Sequence, residues 1–145
     1  MYSIIYRSVA ESFFGKPQIY KMLSAARENN RKYKITGCLL FHKNKFLQLL
    51  EGEKDKVTKL YGRILKDNRH TAIETINEKS IDQPIFSDWS MAFHEFDFGD
   101  DDLSKFYKLK ELDKIFEKSA IFERPSEIAV DFFKSANAII LNTKN

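Results

Sequence analysis

Phe46-Leu47-Gln48-Leu49-Leu50 is a run of five residues in which only Gln48 is polar. An apolar run this short and dense reads as a strand buried on both faces. The amide inside it brings one carbonyl acceptor and two N–H donors, and leaving them without partners costs roughly 1–3 kcal/mol. Gln48 therefore requires a partner inside the protein, either another side chain, a water or a bound ligand. Periodicity alone favours the first two.

The surroundings of this strand set the fold. Ile35 to Phe41 reads as its neighbour, and His42-Lys43-Asn44-Lys45 as the tight hairpin turn between them, with Asn44 as the natural positive-φ residue. Downstream, Val57, Leu60, Tyr61, Ile64 and Leu65 keep an unbroken i, i+3, i+4, i+7, i+8 pattern, which predicts a helix. Upstream, Tyr2 to Tyr6 predicts a strand with Tyr2, Ile4 and Tyr6 on one face. The Tyr6 phenol also needs a partner if it is buried, unless its hydroxyl reaches solvent. Pro17 suits a first helical turn, and Ile19, Met22, Leu23 and Ala26 give that helix its stripe. Asn29-Asn30 is expected to close it, since Asn tolerates the left-handed conformation. Two further strands are expected at Ala72 to Asn77 and Trp89 to Phe96, with Pro84 between them and with Trp89 and Met91 sharing one face of the last.

The predicted order is β-α-β-β-α-β-β. Its first six elements form the ferredoxin-like, split βαβ pattern of an α+β sandwich. The expected architecture is a five-stranded mixed sheet with two helices on one face. Beyond residue 97 the texture changes. Asp97, Asp100, Asp101 and Asp102 suit a helix start, and Leu103, Phe106, Leu109, Leu112 and Phe116 form a stripe. A second tail helix begins at Pro125-Ser126 and carries Ile128, Phe132, Ala136 and Ile139. The expected division is a domain over 1–97 and a helical extension over 98–145, whose stripes must bury against the sheet or another chain.

Composition narrows the function. The 24 basic residues are balanced by 21 acidic ones and mixed with them, which argues against a nucleic-acid surface. The single cysteine, Cys38, excludes an internal disulfide framework and points to a reducing, cytoplasmic setting. Met1 to Ser8 lacks the form of a secretory signal, and no run approaches the ~20 apolar residues of a membrane span. There is no Gly-rich phosphate loop. His42, His70 and His94 lack metal-ligand spacing and read as surface residues, so no metal site is expected. Cys38, in an apolar strand, reads as an inert core residue. No acid/base constellation suggests an enzyme.

The polar residues that remain unexplained fall into a known pattern. Tyr6-Arg7-Ser8, Asn29-Asn30 followed by Ile35-Thr36-Gly37, Phe46 to Gly52, Leu65 to His70 and Trp89-Ser90-Met91 resemble, in that order, the BLUF family of blue-light sensors using flavin. The resemblance covers roughly residues 1 to 95. Asn44 stands where family members often carry Gly, and it can take the same backbone angle.

The resemblance implies an isoalloxazine ring between the two helices, with FAD as the expected flavin and FMN or riboflavin as alternatives. It implies a relay of Tyr6 and Gln48 to the flavin, with Trp89 and Met91 sensing the rearranged Gln48. Asn30 is expected at the ring's carbonyl edge and Asn29 close to the ring or ribityl chain. Arg63, Asp67 and His70 are expected near the ribityl and phosphate end, and Met22, Phe46 and Ile64 as apolar walls. The short type of this family signals by protein contact, so a homo-oligomer and a separate protein effector are the expected partners. The competing readings are a ferredoxin-like regulatory module binding a metabolite or protein without photochemistry, a flavin enzyme of another class, and an RNA-recognition module. Phe46 to Gly52 lacks the basic-Gly-aromatic pattern of the last.

Overall fold

The computed structural model describes residues 1–42 and 44–95 together with Val130, Phe133, Lys134 and Asn137. Five strands and two helices follow the predicted order: β1 Tyr2–Ala10, α1 Lys16–Tyr33, β2 Thr36–His42, β3 Lys45–Gly52, α2 Lys54–Leu65, β4 His70–Ser80 and β5 Ala92–Glu95. The sheet order is β4-β1-β3-β2-β5. The first four strands pair antiparallel, and β5 adds parallel to β2. This is the mixed sheet expected from the sequence.

β3 is the central strand, and all its residues after Lys45 are buried. Its alternation divides the core. Phe46 and Leu50 join Tyr6, Leu39, Ile19, Leu23, Val57 and Tyr61 under the two helices. Leu47 and Leu49 join Ile5, Cys38, Leu40, Ala92, Phe86 and Phe133 on the far side. Both helices therefore cover one face. The far face is covered by the β4–β5 connection and by the helical residues Val130 and Phe133. Phe133 is fully buried, its ring edge-on to Phe86 at 6.2 Å, and Asn137 Nδ2 donates to the Ile85 carbonyl at 2.9 Å. The tail residues predicted as stripes, Leu103 to Phe116 and Ile128, Phe132, Ala136 and Ile139, lie outside the described residues.

The hairpin turn is as expected: Asn44 has φ 65°, and its amide donates to the Ala10 carbonyl at 3.0 Å. Other local expectations are corrected. α1 does not end at Asn29-Asn30 but continues to Tyr33, where Lys34 takes the left-handed conformation (φ 56°) and closes it. Asn30 is instead buried within the helix, its side chain occupied by a distant partner. The last strand begins at Ala92 rather than Trp89. The preceding backbone is engaged elsewhere: Trp89 N–H donates to the Phe86 carbonyl, and Gly37 N–H donates to the Trp89 carbonyl at 3.2 Å. Trp89 and Met91 therefore do not share a strand face. Trp89 packs with the far-side cluster and Met91 with the helix-side one. His42 is buried, not a surface residue. β4 is longer than predicted, with irregular register against β1 and Ala72 at φ 54°.

Candidate functional site

Antiparallel pairing sets Tyr6 of β1 directly opposite Gln48 of β3, and Gln48 opposite Leu39 of β2. All three point to the helix side. There a cavity of about 230 Å³ opens between the sheet and the two helices. α1 contributes Met22, Leu23, Ala26, Asn29 and Asn30, and α2 contributes Leu60, Arg63 and Ile64. The remaining wall comes from Phe14, Phe46, Asp67, Arg69, His70 and Met91.

At the cavity floor, the Tyr6 hydroxyl donates to Gln48 Oε1, and Gln48 Nε2 faces Met91 Sδ at 3.4 Å. The amide inside the apolar strand thus has both ends occupied, the acceptor by a phenol and the donor by a soft thioether. Burial holds the Tyr6 phenol far above the ordinary tyrosine range, with smaller contributions from Tyr61 and Asp67. Tyr6 is therefore a neutral donor at any working pH. Its ring lies 5.2 Å from that of Tyr61, whose hydroxyl shares a 2.6 Å hydrogen bond with Thr75.

Asn30 is 2% exposed and donates from Nδ2 to the Ser90 carbonyl at 2.8 Å. Arg27 Nε donates to the Met91 carbonyl at the same distance. Two α1 side chains thus fasten the segment that delivers Met91 to Gln48. At the other end of the cavity, Arg69 forms a forked pair with Asp67, and its guanidinium lies over the Phe14 ring at 5.6 Å. That pairing holds the Asp67 carboxyl below the usual range despite partial burial. His70 Nε2 donates to the Ile64 carbonyl at 2.9 Å, and Nδ1 shares a hydrogen bond with the Ser8 hydroxyl at 2.8 Å. Both ring nitrogens are therefore engaged by protein, and His70 offers the cavity a ring surface.

All ten residues the sequence assigned to a cofactor line this one cavity: Tyr6, Met22, Asn29, Asn30, Phe46, Gln48, Arg63, Ile64, Asp67 and His70. Met91 joins them. Trp89 does not; it packs beneath the sheet. The cavity is also lined by Leu23, Ala26 and Leu60, members of the two predicted helix stripes that were not assigned to a site, and by Leu39, which its pairing opposite Gln48 places there. Phe14 sits in a connection without periodicity. Arg69 lies within the Leu65-to-His70 stretch, two residues from Asp67, and that spacing is the sequence signal for their pairing.

The lining suits a flavin on chemical grounds. Aliphatic and aromatic walls accommodate a flat ring system, amides on two sides address a carbonyl edge, and Arg63 and Arg69 give the cavity cationic groups for an anionic tail. Residues 1–92 match the family model described as BLUF, sensors of blue-light using FAD.

The chain belongs to the BLUF family.

It is a blue-light photoreceptor domain that uses FAD. Over 91 residues, 62% of the chain, it is 32% identical to the photoactivated adenylate cyclase subunit beta of Euglena gracilis, spanning 11% of that protein. Over 68 residues, 47% of the chain, it is 38% identical to the blue light- and temperature-regulated antirepressor BluF of Escherichia coli, spanning 17% of it. The dark-state structure of BlrB, a BLUF protein, superposes with a TM-score of 0.76 at 26% identity, covering 94% of this chain and 95% of that one. The BLUF chain thus spans a small fraction of the two curated relatives. Among its described residues, no three His, Cys, Asp or Glu side chains are grouped to hold a metal ion, and no helix is long and apolar enough to cross a membrane.

Proposed function

We propose that the cavity between α1 and α2 holds the isoalloxazine ring of FAD, and that Tyr6, Gln48 and Met91 form the light-driven relay. The single observation that carries this reading is the buried chain Tyr6 hydroxyl, Gln48 amide, Met91 thioether on the cavity floor. Met22, Phe46 and Ile64 wall the ring, Asn29 and Asn30 address its polar edge, and Arg63 with the Asp67–Arg69 pair attends the ribityl and phosphate end. His70 supplies a ring wall there.

FAD, when bound, absorbs blue light and becomes a strong one-electron oxidant. Tyr6 is the adjacent donor. Its phenol is a neutral hydrogen-bond donor in an apolar setting, so loss of an electron makes its proton strongly acidic and the two leave together. Gln48 Oε1 is the acceptor in line with that proton. An amide presents a donor on one side and an acceptor on the other, so rotation or a shift to the imidic tautomer exchanges its hydrogen bonds. After the proton and electron return to Tyr6, Gln48 keeps the exchanged arrangement. Met91 is the first group to register it, because a thioether takes a weak hydrogen bond from an amide N–H and gives none to a carbonyl. Met91 leads directly into β5, so a two-state change there reaches the sheet edge.

No substrate is turned over, and the output passes by protein contact. The sensor unit occupies 1–97, with 98–145 as the extension that relays the change, in a soluble cytoplasmic protein that works as a homo-oligomer with a separate effector. Purified protein is expected to be yellow and to show a reversible red shift under blue light. Tyr6→Phe and Gln48→Leu should each retain flavin and lose the shift. A normal photocycle in either variant refutes the relay.

A further inference from the structure

We propose that Glu51 is a positioning residue for the relay: its carboxylate, on the face of β3 opposite the cavity, anchors the chain segment that sets where Met91 meets Gln48. The inference rests on the relay reading above.

Glu51 is three residues from Gln48 on the same strand, so the pleat turns the two to opposite faces. It is 1% exposed, which for a carboxylate demands compensation. The compensation comes from consecutive backbone N–H groups of Ile85 and Phe86, the latter at 2.9 Å, with the Thr36 hydroxyl 3.5 Å away. Phe86 is itself fully buried, so its N–H has no access to a solvent partner, while Ile85 is half-buried. From this anchor the chain runs through a turn closed by Trp89 N–H on the Phe86 carbonyl at 3.0 Å. Gly37 then holds the Trp89 carbonyl, Asn30 the Ser90 carbonyl and Arg27 the Met91 carbonyl. The segment 85–91 is thus fastened at both ends, by β3 at the front and by α1 at the back. Met91 sits at the end of that span.

The two fastenings differ in one useful respect. Asn30 lines the cavity, so its replacement disturbs the cofactor as well as the segment. Glu51 does not line the cavity, so replacing it perturbs the position of Met91 while leaving Tyr6, Gln48 and the other lining residues in place. Glutamine at this position retains the size but offers one carbonyl oxygen where two N–H groups converge, and turns its own N–H₂ toward one of them.

The test is the dark-recovery rate of the FAD-loaded full chain after blue light, measured by the decay of the red shift, in a double-mutant cycle of Glu51→Gln and Met91→Ala. The red shift itself should survive in Glu51→Gln, with a recovery rate changed by more than about twofold, and the double variant should recover within about twofold of Met91→Ala alone, because the two act in series. A merely structural role moves the melting temperature but leaves the two kinetic effects multiplicative. Multiplicative effects, or recovery in Glu51→Gln within about twofold of the unsubstituted protein, overturn the proposal. If Glu51→Gln does not fold, Glu51→Asp keeps the charge at shorter reach and is judged by the same criteria. Failure of the relay is read separately, in Tyr6→Phe and Gln48→Leu with Glu51 intact.

Discussion

Two glycine-to-alanine substitutions should shift stability in opposite directions, for reasons visible in their surroundings. A Cβ added at Gly37 would meet the Leu49 carbonyl oxygen at 2.0 Å and Met91 Cε at 3.3 Å. Non-bonded atoms pack best at about 3.5 Å or more, so β2 and β3 must part by roughly 1.5 Å. The obstacle is backbone of the central strand, which cannot swing aside as a side chain can. Overpacking usually costs about 1–3 kcal/mol, and a rigid obstacle places Gly37→Ala at the upper end, near 3 kcal/mol. For a chain of this length each kcal/mol is worth about 4 °C, so Tm should fall by about 10 °C or more. At Gly62, within α2, an added Cβ meets nothing within 4 Å. There the helical preference of alanine acts alone and should stabilise by about 0.5–1 kcal/mol, raising Tm by a few degrees. Both variants are to be melted by circular dichroism at one fixed FAD concentration, since bound ligand raises Tm by mass action. A Gly37→Ala protein that melts with the unsubstituted chain refutes the claim that β2 and β3 need a bare backbone at this point.

Three further outcomes are expected. Asn30→Ala leaves the half-buried Ser90 carbonyl without its donor and should cost about 0.5–1.5 kcal/mol in urea unfolding of the flavin-free protein; no measurable loss would deny the α1 fastening. Tyr61→Phe removes the hydroxyl bonded to Thr75 and should cost about 0.5–1.5 kcal/mol while the light-induced shift persists, because Tyr61 does not line the cavity; loss of the shift would assign Tyr61 a place in the relay. Asp67 has its folded-state pKa lowered by Arg69, so its contribution is present above the unfolded value near 3.9 and is lost as pH falls through the folded value. A side-chain carboxyl NMR titration should place its midpoint below the ordinary aspartate range, and a midpoint at or above that range would show the pair to be absent in solution.

The path from sequence to fold was short where local rules and tertiary needs agree. Gln48 was conspicuous because an amide amid Phe46, Leu47, Leu49 and Leu50 has no solvent to turn to, and the central position of β3 is the structural form of that fact. Asn44 was legible for the same reason: turn geometry is decided by the residue itself. The end of α1 is not legible at Asn29-Asn30, because the Asn30 side chain is engaged by a carbonyl sixty residues away while local propensity ranks an asparagine near a helix end as a cap. Period-two counting assigns Trp89 and Met91 one face, which presumes a strand. Here side chains from α1 and backbone from β2 take up the 85–91 groups that a strand would have paired, so the alternation does not begin until Ala92. Glu51 has no role legible in the sequence, because the Ile85 and Phe86 N–H groups it accepts from lie in a connection that has no sequence signature.

The covering of the sheet's far side has a practical bearing on anyone who would cut or graft this module. Phe133 fills a hollow against Phe86, and Asn137 ties the Ile85 carbonyl directly beside the Glu51 anchor. The underside of the sheet is therefore a socket that takes a plug. A fusion joined at residue 97 would have to bring its own aromatic and its own amide to that socket, and how well the substitute seats would set how firmly the sensor grips whatever it is made to drive.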